Sequence, residues 1–224
     1  MIWLLACSFL PEERPEEKLA AASNTVIFAS VEKLGAHHYE ARVRRKELRE
    51  ESITSNHDEI IIIDWQDWDN FRYSRTLDTK EVSSLIVSNH IPWLKNTAQK
   101  WSKYEDAEPY RTELRTSWNT WEQYVGRYET LITWKPIEED IIADRKVTRY
   151  ELLYQKENDA PQNTEPKNLT LSSLSGSIAV DQATAVRIYA EVKLVLTGDK
   201  YRKEIDLQIK RTDIGVQKNI PPPQ

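Results

Sequence analysis

The sequence has very little of three things on which large classes of protein depend: glycine, cysteine and long apolar runs. It contains 5 glycines in 224 residues, and they form neither a dinucleotide fingerprint nor a phosphate-binding loop. Its single cysteine, Cys7, cannot form a disulfide within the chain. No run of eighteen apolar residues predicts a membrane-spanning helix. Phosphoryl transfer, disulfide cross-linking and a helical membrane span therefore have no support in the sequence.

An excess of positive charge is missing as well. The chain has 31 basic and 36 acidic side chains, which gives a net charge of -5. Such a protein has no overall positive field to attract a phosphate backbone, so we expect no nucleic-acid partner. Hydrophobic residues make up 39% of the chain and charged residues 30%. This balance and the length fit one folded domain with a sizeable core.

Sequence patterns for catalysis or metal binding are weak. The segment from Asp64 to Asn70 holds three carboxylates, but it lacks the glycine and distal glutamate of an EF-hand loop and is more typical of a turn. His37 and His38 are adjacent on a predicted strand, so their side chains point to opposite faces and cannot easily share one metal. No Ser/His/Asp order or paired-carboxylate spacing stands out. We expect no enzymatic activity, no cofactor and no metal site.

Near the N-terminus, the sequence LLAC, which ends in Cys7, resembles a bacterial lipobox. In such a signal a small residue precedes the cleaved bond, and the cysteine thiol takes a diacylglycerol. Only six residues precede Cys7, fewer than the apolar segment of a full signal peptide. The alternative interpretation is a short apolar N-terminus with an incidental thiol. The resemblance implies a lipid anchor at Cys7 and, because Ser8 follows it, an outer-membrane lipoprotein of the bacterial cell envelope facing the periplasm.

The sequence predicts a division into four segments. Residues 1–6 are interpreted as the remnant of a signal peptide and residues 7–25 as the lipidated cysteine and a tether, which is charged and has no periodicity. Residues 26–216 are predicted to form one half-barrel domain. Residues 217–224 form a Pro-rich tail, which we expect to be extended.

Alternating apolar and polar residues predict antiparallel strands in most of this domain. Three strands are expected in the first part, one from about Tyr39 and others over residues 59–64 and 71–77. Residues 83–101 are expected to add two short strands. The last third of the chain has the strongest alternation, with apolar residues expected inside and charged residues such as Arg187 expected outside. Turns are predicted at 181–184 and 198–199.

The clearest predicted helix spans residues 109–132. Pro109 suits a first helical turn. Seven residues at helical spacing form one face: Tyr110, Leu114, Trp118, Trp121, Val125, Tyr128 and Ile132. This spacing favours a core face that packs on the sheet, and a sugar-binding or lipid-binding face is the alternative. A second, short helix is expected near residues 24–35.

The lipobox, the strands, the Trp-bearing helix and the segment from Gly176 to Thr184 with its following strand together resemble the LolA/LolB-like lipoprotein-carrier superfamily. The resemblance covers roughly residues 30 to 215. It implies a mainly β fold with α (α+β), in which a curved antiparallel sheet or half-open β-barrel is covered by one long helix and, near 24–35, a short one. Because the family holds acyl chains in the cell envelope, it also implies a lipid or lipidated protein as the partner, membrane attachment through the N-terminal lipid, and an envelope protein as a further partner.

A long sheet with one apolar face has more inner surface than a single helix, about 10 Å across, can cover. An apolar ligand can occupy the remainder, since each CH₂ removed from water gains about 0.8 kcal/mol. We predict that nine residues line such a groove: Trp118, Trp121, Val125, Val186, Ile188, Val192, Leu194, Ile205 and Leu207. In the alternative, side chains fill the interior, and the protein scaffolds an envelope complex through a sheet edge or exposed aromatic residues.

Overall fold

The computed structural model describes residues 32–96, 98–155 and 169–223. Cys7, the predicted tether at 7–25 and most of the predicted short helix at 24–35 lie outside the described residues. The described part of the chain forms strands β1 (His37–Arg49), β2 (Ser52–Asp67), β3 (Asn70–Leu77), β4 (Lys80–Ser88), β5 (Ile91–Lys95), β6 (Trp101–Lys103), β7 (Ile132–Ile142), β8 (Arg145–Tyr154), β9 (Thr170–Asp181), β10 (Arg187–Thr197) and β11 (Tyr201–Thr212).

These strands form one antiparallel sheet with the order β6-β5-β4-β3-β2-β1-β11-β10-β9-β8-β7. The first and last strands in sequence pair at its centre, where Tyr39 of β1 lies opposite Ile63 of β2 and Arg211 of β11. Among the described strands, β6 and β7 each have a neighbour on one side only, so the sheet is open. The predicted antiparallel sheet is thereby confirmed.

A sheet of eleven twisted strands curls rather than staying flat, because the twist between neighbouring strands accumulates across it. Residues 108–131 lie between β6 and β7 in the chain and pack on its apolar, concave face. This helical segment is called the helical cover.

The helical cover is not the single helix that the sequence predicts over 109–132. It consists of α1 (Glu108–Trp118), α2 (Thr120–Tyr124) and a 3₁₀ helix (Gly126–Leu131). At the first break, the Asn119 N–H bonds to the Thr116 carbonyl at 3.1 Å instead of continuing the α-helical pattern. The Thr120 hydroxyl donates to the Ser117 carbonyl at 2.7 Å, a local bond that competes with a regular helix. Apolar spacing alone did not reveal these side-chain effects.

Strand β7 is absent from the sequence prediction, and Ile132, which was assigned to the helix, is its first residue. The strand lies at the edge of the sheet and is largely exposed, with Pro136 and the charged residues Glu138 and Glu139 along it. Proline and charge are typical of edge strands because they discourage pairing with another chain. They also remove the alternation by which a strand is recognised.

Two buried apolar clusters lie on opposite faces of the sheet. The larger cluster fills the space between the concave face and the helical cover, with Tyr39, Phe71 and Leu114 fully buried in it. The smaller cluster contains Ala179, whose strand neighbours Ile178 and Val180 both belong to the larger cluster on the other face. Most of the apolar surface that stabilises the fold is therefore under the helical cover.

The two predicted turns in the last third of the chain are confirmed. Between β9 and β10, the buried Asp181 accepts hydrogen bonds from the Thr184 amide and hydroxyl and pairs with Arg145 at 2.9 Å. Gly198 lies in the turn between β10 and β11, where its amide donates to the Tyr201 carbonyl. The bonds of Asp181 show why an aspartate suits the first of these turns, because its side chain bonds to the residues that follow it.

The C-terminal tail contacts the sheet. Lys218 pairs with Asp64 at 2.9 Å and with Asp213 at 2.8 Å, and Ile220 is buried. Asp64 also accepts a hydrogen bond from His38 at 2.8 Å. The tail is thus held against the outer side of β1 and β2 by charge and by one apolar side chain.

Candidate functional site

All nine residues predicted to line a groove are buried, but they belong to two clusters. Seven lie in the larger cluster under the helical cover: Trp118, Trp121, Val125, Val192, Leu194, Ile205 and Leu207. Val186 and Ile188 lie in the smaller cluster on the other face. The pairing of β9 with β10 shifts by one residue between Arg187 and Tyr189, a β-bulge that the alternation did not predict.

This bulge reverses the expected position of Arg187. The alternation places its side chain outside, whereas it is 4% exposed and points toward the helical cover. Its guanidinium lies over the Trp121 ring at 4.2 Å and pairs with Glu129 at 3.0 Å. Burial lowers the pKa of Arg187 to about 10, although Glu129 and Glu122 act in the opposite direction. The Trp121 indole N–H donates to the same Glu129 carboxylate at 2.6 Å.

A second arginine, Arg211, is buried beside the first. Its guanidinium lies over the Tyr39 ring at 4.9 Å and donates to the Arg187 carbonyl oxygen. In the part of the chain that the structure describes, no carboxylate pairs with Arg211, and burial lowers its pKa. A buried cation without an anionic partner is unusual, because removing it from water costs several kcal/mol.

A group of aromatic rings lies next to these arginines, at the end of the sheet where β1 begins. His37 stacks on Trp118 with ring centroids 5.7 Å apart and lies 5.5 Å from Trp65, its partner across β1 and β2. Trp65 and Trp118 meet edge to face at 5.4 Å. Such packing joins α1 to the sheet through rings that attract one another beyond their buried area.

Four hydrogen-bond donors in this region have no acceptor among the described residues. They are the indole N–H groups of Trp65 and Trp118, Nε of Arg211, and Nη1 of Arg187, which lies 3.8 Å from a carboxylate oxygen of Glu122, beyond hydrogen-bond distance. We call these four residues the donor cluster. An unsatisfied buried polar group typically costs about 1–3 kcal/mol. Sequence reasoning did not find this cluster, since the two tryptophans fit a plain core face and Arg187 fits an exposed one.

The neutral state of His37 is maintained by its surroundings. Its Nδ1 bonds to the Gly35 carbonyl at 2.9 Å, so Nε2 carries no proton in the neutral ring. Burial, and next the positive charge of Arg211, lower the pKa of His37 from the ordinary 6.5 to about 4.

This pKa predicts how stability depends on pH. Below about pH 6.5 the unfolded chain takes up a proton at His37, whereas the folded chain does so only near pH 4. The free energy of unfolding should therefore fall by up to about 3 kcal/mol as the pH decreases through this window. Urea unfolding at several pH values should show that His37→Phe loses this part of the pH dependence of the free energy of unfolding. The control His90→Gln, at a side chain that is 74% exposed, should keep it. The same pH dependence in His37→Phe as in the natural protein would contradict the assignment.

Another buried polar group holds α2 to the sheet. The Glu59 carboxylate of β2 is bound by Arg75 at 2.6 Å and by Arg45 at 3.4 Å, and it accepts a hydrogen bond from the Tyr124 hydroxyl at 3.4 Å. Near the aromatic rings, the Tyr39 hydroxyl donates to Thr120 at 3.0 Å. The helical cover is thus attached to the sheet by side-chain contacts at several points along its length.

A separate cavity of about 510 Å³ lies outside the concave face, between the C-terminal tail and the ends of β2, β3 and β4. Its lining is mainly polar and includes Gln66, Asn70, Asn89 and Asn219. None of the nine predicted groove residues lines it.

Two further properties concern the described residues only. No three of their histidines, cysteines, aspartates or glutamates are close enough to hold a metal, and the segment from Asp64 to Asn70 contains the predicted turn, in which Asp67 accepts from the Asp69 amide at 2.8 Å. None of their helices has the length and apolar character to cross a membrane.

Comparison with known proteins finds similarity at the level of structure. No family model matches the sequence, and no curated protein matches it. Among solved structures, a LolA superfamily protein from Nitrosomonas europaea is 7% identical with a TM-score of 0.27, and the match covers 92% of this chain and 94% of that one. A DUF1329 family protein from Desulfovibrio piger is 7% identical with a TM-score of 0.28, and the match covers 89% and 95%.

A third match is the MucA/MucB complex of Pseudomonas aeruginosa, 10% identical with a TM-score of 0.24, covering 90% of this chain and 59% of that one. One of these matched structures is a LolA superfamily protein, and the sequence was compared with that superfamily above.

Proposed function

We propose that this protein binds an apolar ligand, namely an acyl chain, a lipid or a lipidated protein, between the concave face of its sheet and the helical cover, without catalysing a reaction. The observation that supports this proposal is an open sheet whose two edge strands are joined by a cover that crosses a continuous apolar cluster. The polypeptide backbone joins the cover to strands only at its two ends, so the cover can move away from the concave face without separating any pair of strands. Apolar side chains that now contact one another could then contact a ligand instead.

The ligand would contact the seven predicted residues in the larger cluster. Trp118, Trp121 and Val125 belong to the cover, and Val192 and Leu207 are directly opposite each other on β10 and β11. Burial of a chain against such surfaces is favourable by about 0.8 kcal/mol for each CH₂. Val186 and Ile188 lie on the other face and have no part in this proposal.

A second candidate function is a scaffold with a filled interior. The burial of the seven residues favours it, because Trp121, Val125 and Val192 are each no more than 2% exposed. In this case an edge of the open sheet or exposed aromatic residues, rather than the concave face, would bind an envelope protein.

Native mass spectrometry distinguishes the two candidates. The full-length chain carrying Cys7→Ser, which prevents covalent lipidation, is purified from cells and then incubated with oleate or phosphatidylglycerol. The ligand-binding proposal expects a fatty acid or phospholipid bound at close to one per chain. If only the mass of the protein itself is found, both before and after incubation, the ligand-binding proposal is contradicted and the scaffold function is favoured.

We further propose that Cys7 carries a lipid that anchors the protein in the bacterial envelope, at the outer membrane and facing the periplasm. The supporting observation is the LLAC sequence that ends in Cys7. Phase separation in detergent tests it: the natural protein should enter the detergent phase and Cys7→Ser the aqueous phase. Equal partition of the two proteins would show that Cys7 carries no anchor.

A further inference from the structure

The donor cluster contains one cation without an anionic partner among the described residues. Arg187 pairs with Glu129 at 3.0 Å and with Glu122 at 3.8 Å, whereas no carboxylate of the described residues pairs with Arg211. Indole and guanidinium groups donate hydrogen bonds and cannot accept them. A group that satisfies this cluster must therefore be an acceptor and should be negatively charged.

The donors lie at one end of the space proposed for the apolar ligand. Arg211 is opposite Tyr39 across β1 and β11, and its amino group donates to the Arg187 carbonyl. His37, whose pKa is affected by the charge of Arg211, stacks on Trp118 and contacts Trp65. The same strands continue from here into the apolar face, where Ala41 follows Tyr39 and Ile209 precedes Arg211 on the inward side.

We infer that the ligand carries an oxyanion head group, a carboxylate or a phosphate, which the donor cluster binds with Arg211 as its main partner. This inference rests on the proposed function, because the acyl chain of the same ligand would occupy the apolar part of the concave face. A guanidinium and an oxyanion form strong, charge-assisted hydrogen bonds, and these are strengthened where water is excluded. The two indole N–H groups add neutral donors that suit the remaining lone pairs of the oxyanion.

Binding requires the helical cover to move. The four donor atoms are sealed from solvent in the present structure, so α1 and α2 must shift away from β1 and β2 to admit a head group. This movement separates the Trp118 ring from the rings of His37 and Trp65. It also breaks the hydrogen bonds from Tyr39 to Thr120 and from Tyr124 to Glu59. The bonds of the oxyanion to the donor cluster offset the loss of these interactions.

The first test compares two ligands with the same hydrocarbon chain, oleate and oleyl alcohol, by calorimetric titration into the full-length Cys7→Ser protein. A charge-assisted bond to a buried arginine predicts that oleate binds about tenfold more tightly, or better. Equal affinities would overturn the inference and leave the proposed function intact. If neither ligand binds, the proposed function itself is contradicted.

Variants then identify the residues that cause the tighter binding of the charged ligand. Arg211→Gln should reduce it to about twofold or less, and Trp118→Phe, which keeps a ring but loses the N–H, should reduce it by about threefold. Arg149→Gln is the matched control, since Arg149 pairs with Asp140 on the outer face and should keep the full preference. An undiminished preference in both Arg211→Gln and Trp118→Phe would overturn the assignment.

Oleyl phosphate, which has the same hydrocarbon chain as oleate, distinguishes the two head groups. Tighter binding of oleyl phosphate than of oleate, with loss of that preference in Arg211→Gln, would assign the cluster to a phosphate. The reverse order would assign it to a carboxylate. Should Arg211→Gln fail to fold, as thermal unfolding would show, the wild-type comparison and Trp118→Phe still decide the outcome.

Discussion

Replacement of Trp118 by alanine is expected to lower the free energy of unfolding by about 3–5 kcal/mol, the range for buried tryptophan. Trp118 is 4% exposed and contacts His37, Trp65 and Trp68 through its ring. Its removal leaves a cavity at the place where α1 meets the sheet. Urea unfolding measures the change.

A tryptophan at the edge of the sheet serves as the control. Trp101 of β6 is only partly buried, so Trp101→Ala should cost about 1 kcal/mol. The comparison matters for function, because Trp118 is also predicted to contact the ligand. A loss of stability no larger for Trp118→Ala than for Trp101→Ala would show that α1 is not packed on the sheet as described.

Replacement of Gly176 by alanine is expected to destabilise the protein by about 3 kcal/mol or more. Gly176 lies in β9 opposite Val192 of β10 and has a φ of 152°, a backbone conformation that other residues rarely adopt. A Cβ at this position would lie 2.0 Å from the Glu191 carbonyl oxygen. Because that atom belongs to the paired strand, the two strands would have to separate locally.

Gly215 provides the control for this substitution. Its φ of 78° is also positive, but no atom lies within 4 Å of where a Cβ would be. Gly215→Ala should therefore cost only about 1 kcal/mol, from backbone conformation alone. Thermal or urea unfolding of both variants gives the comparison, and equal costs would contradict the close approach of β9 and β10.

The sequence predicted most of the sheet because half-buried strands carry a simple pattern. The alternation around Tyr39 and the run at 59–64 both lie in observed strands, and the 181–184 turn follows from an aspartate that bonds to the residues after it. Strand β7 was missed, because at an exposed edge neither face of the strand needs to be apolar.

The candidate site was predicted less completely. Apolar spacing identified Trp118 and Trp121 correctly as residues that face the sheet. It could not reveal the β-bulge beside Ile188, which places Val186 and Ile188 on the outer face and turns Arg187 inward. A one-residue shift of this kind depends on the pairing of two strands, and nothing in the β10 sequence alone records it.

Localising a bound ligand is the decisive measurement. The full-length Cys7→Ser protein would be irradiated with a fatty acid that carries a diazirine on its hydrocarbon chain, and labelled peptides would be identified by mass spectrometry. We expect labels on α1 and α2 and on inward-facing positions of β10 and β11, such as Val192 and Leu207, with protection by excess oleate. Labelling confined to the outer face of the sheet, or labelling that oleate does not reduce, would contradict a ligand site under the helical cover.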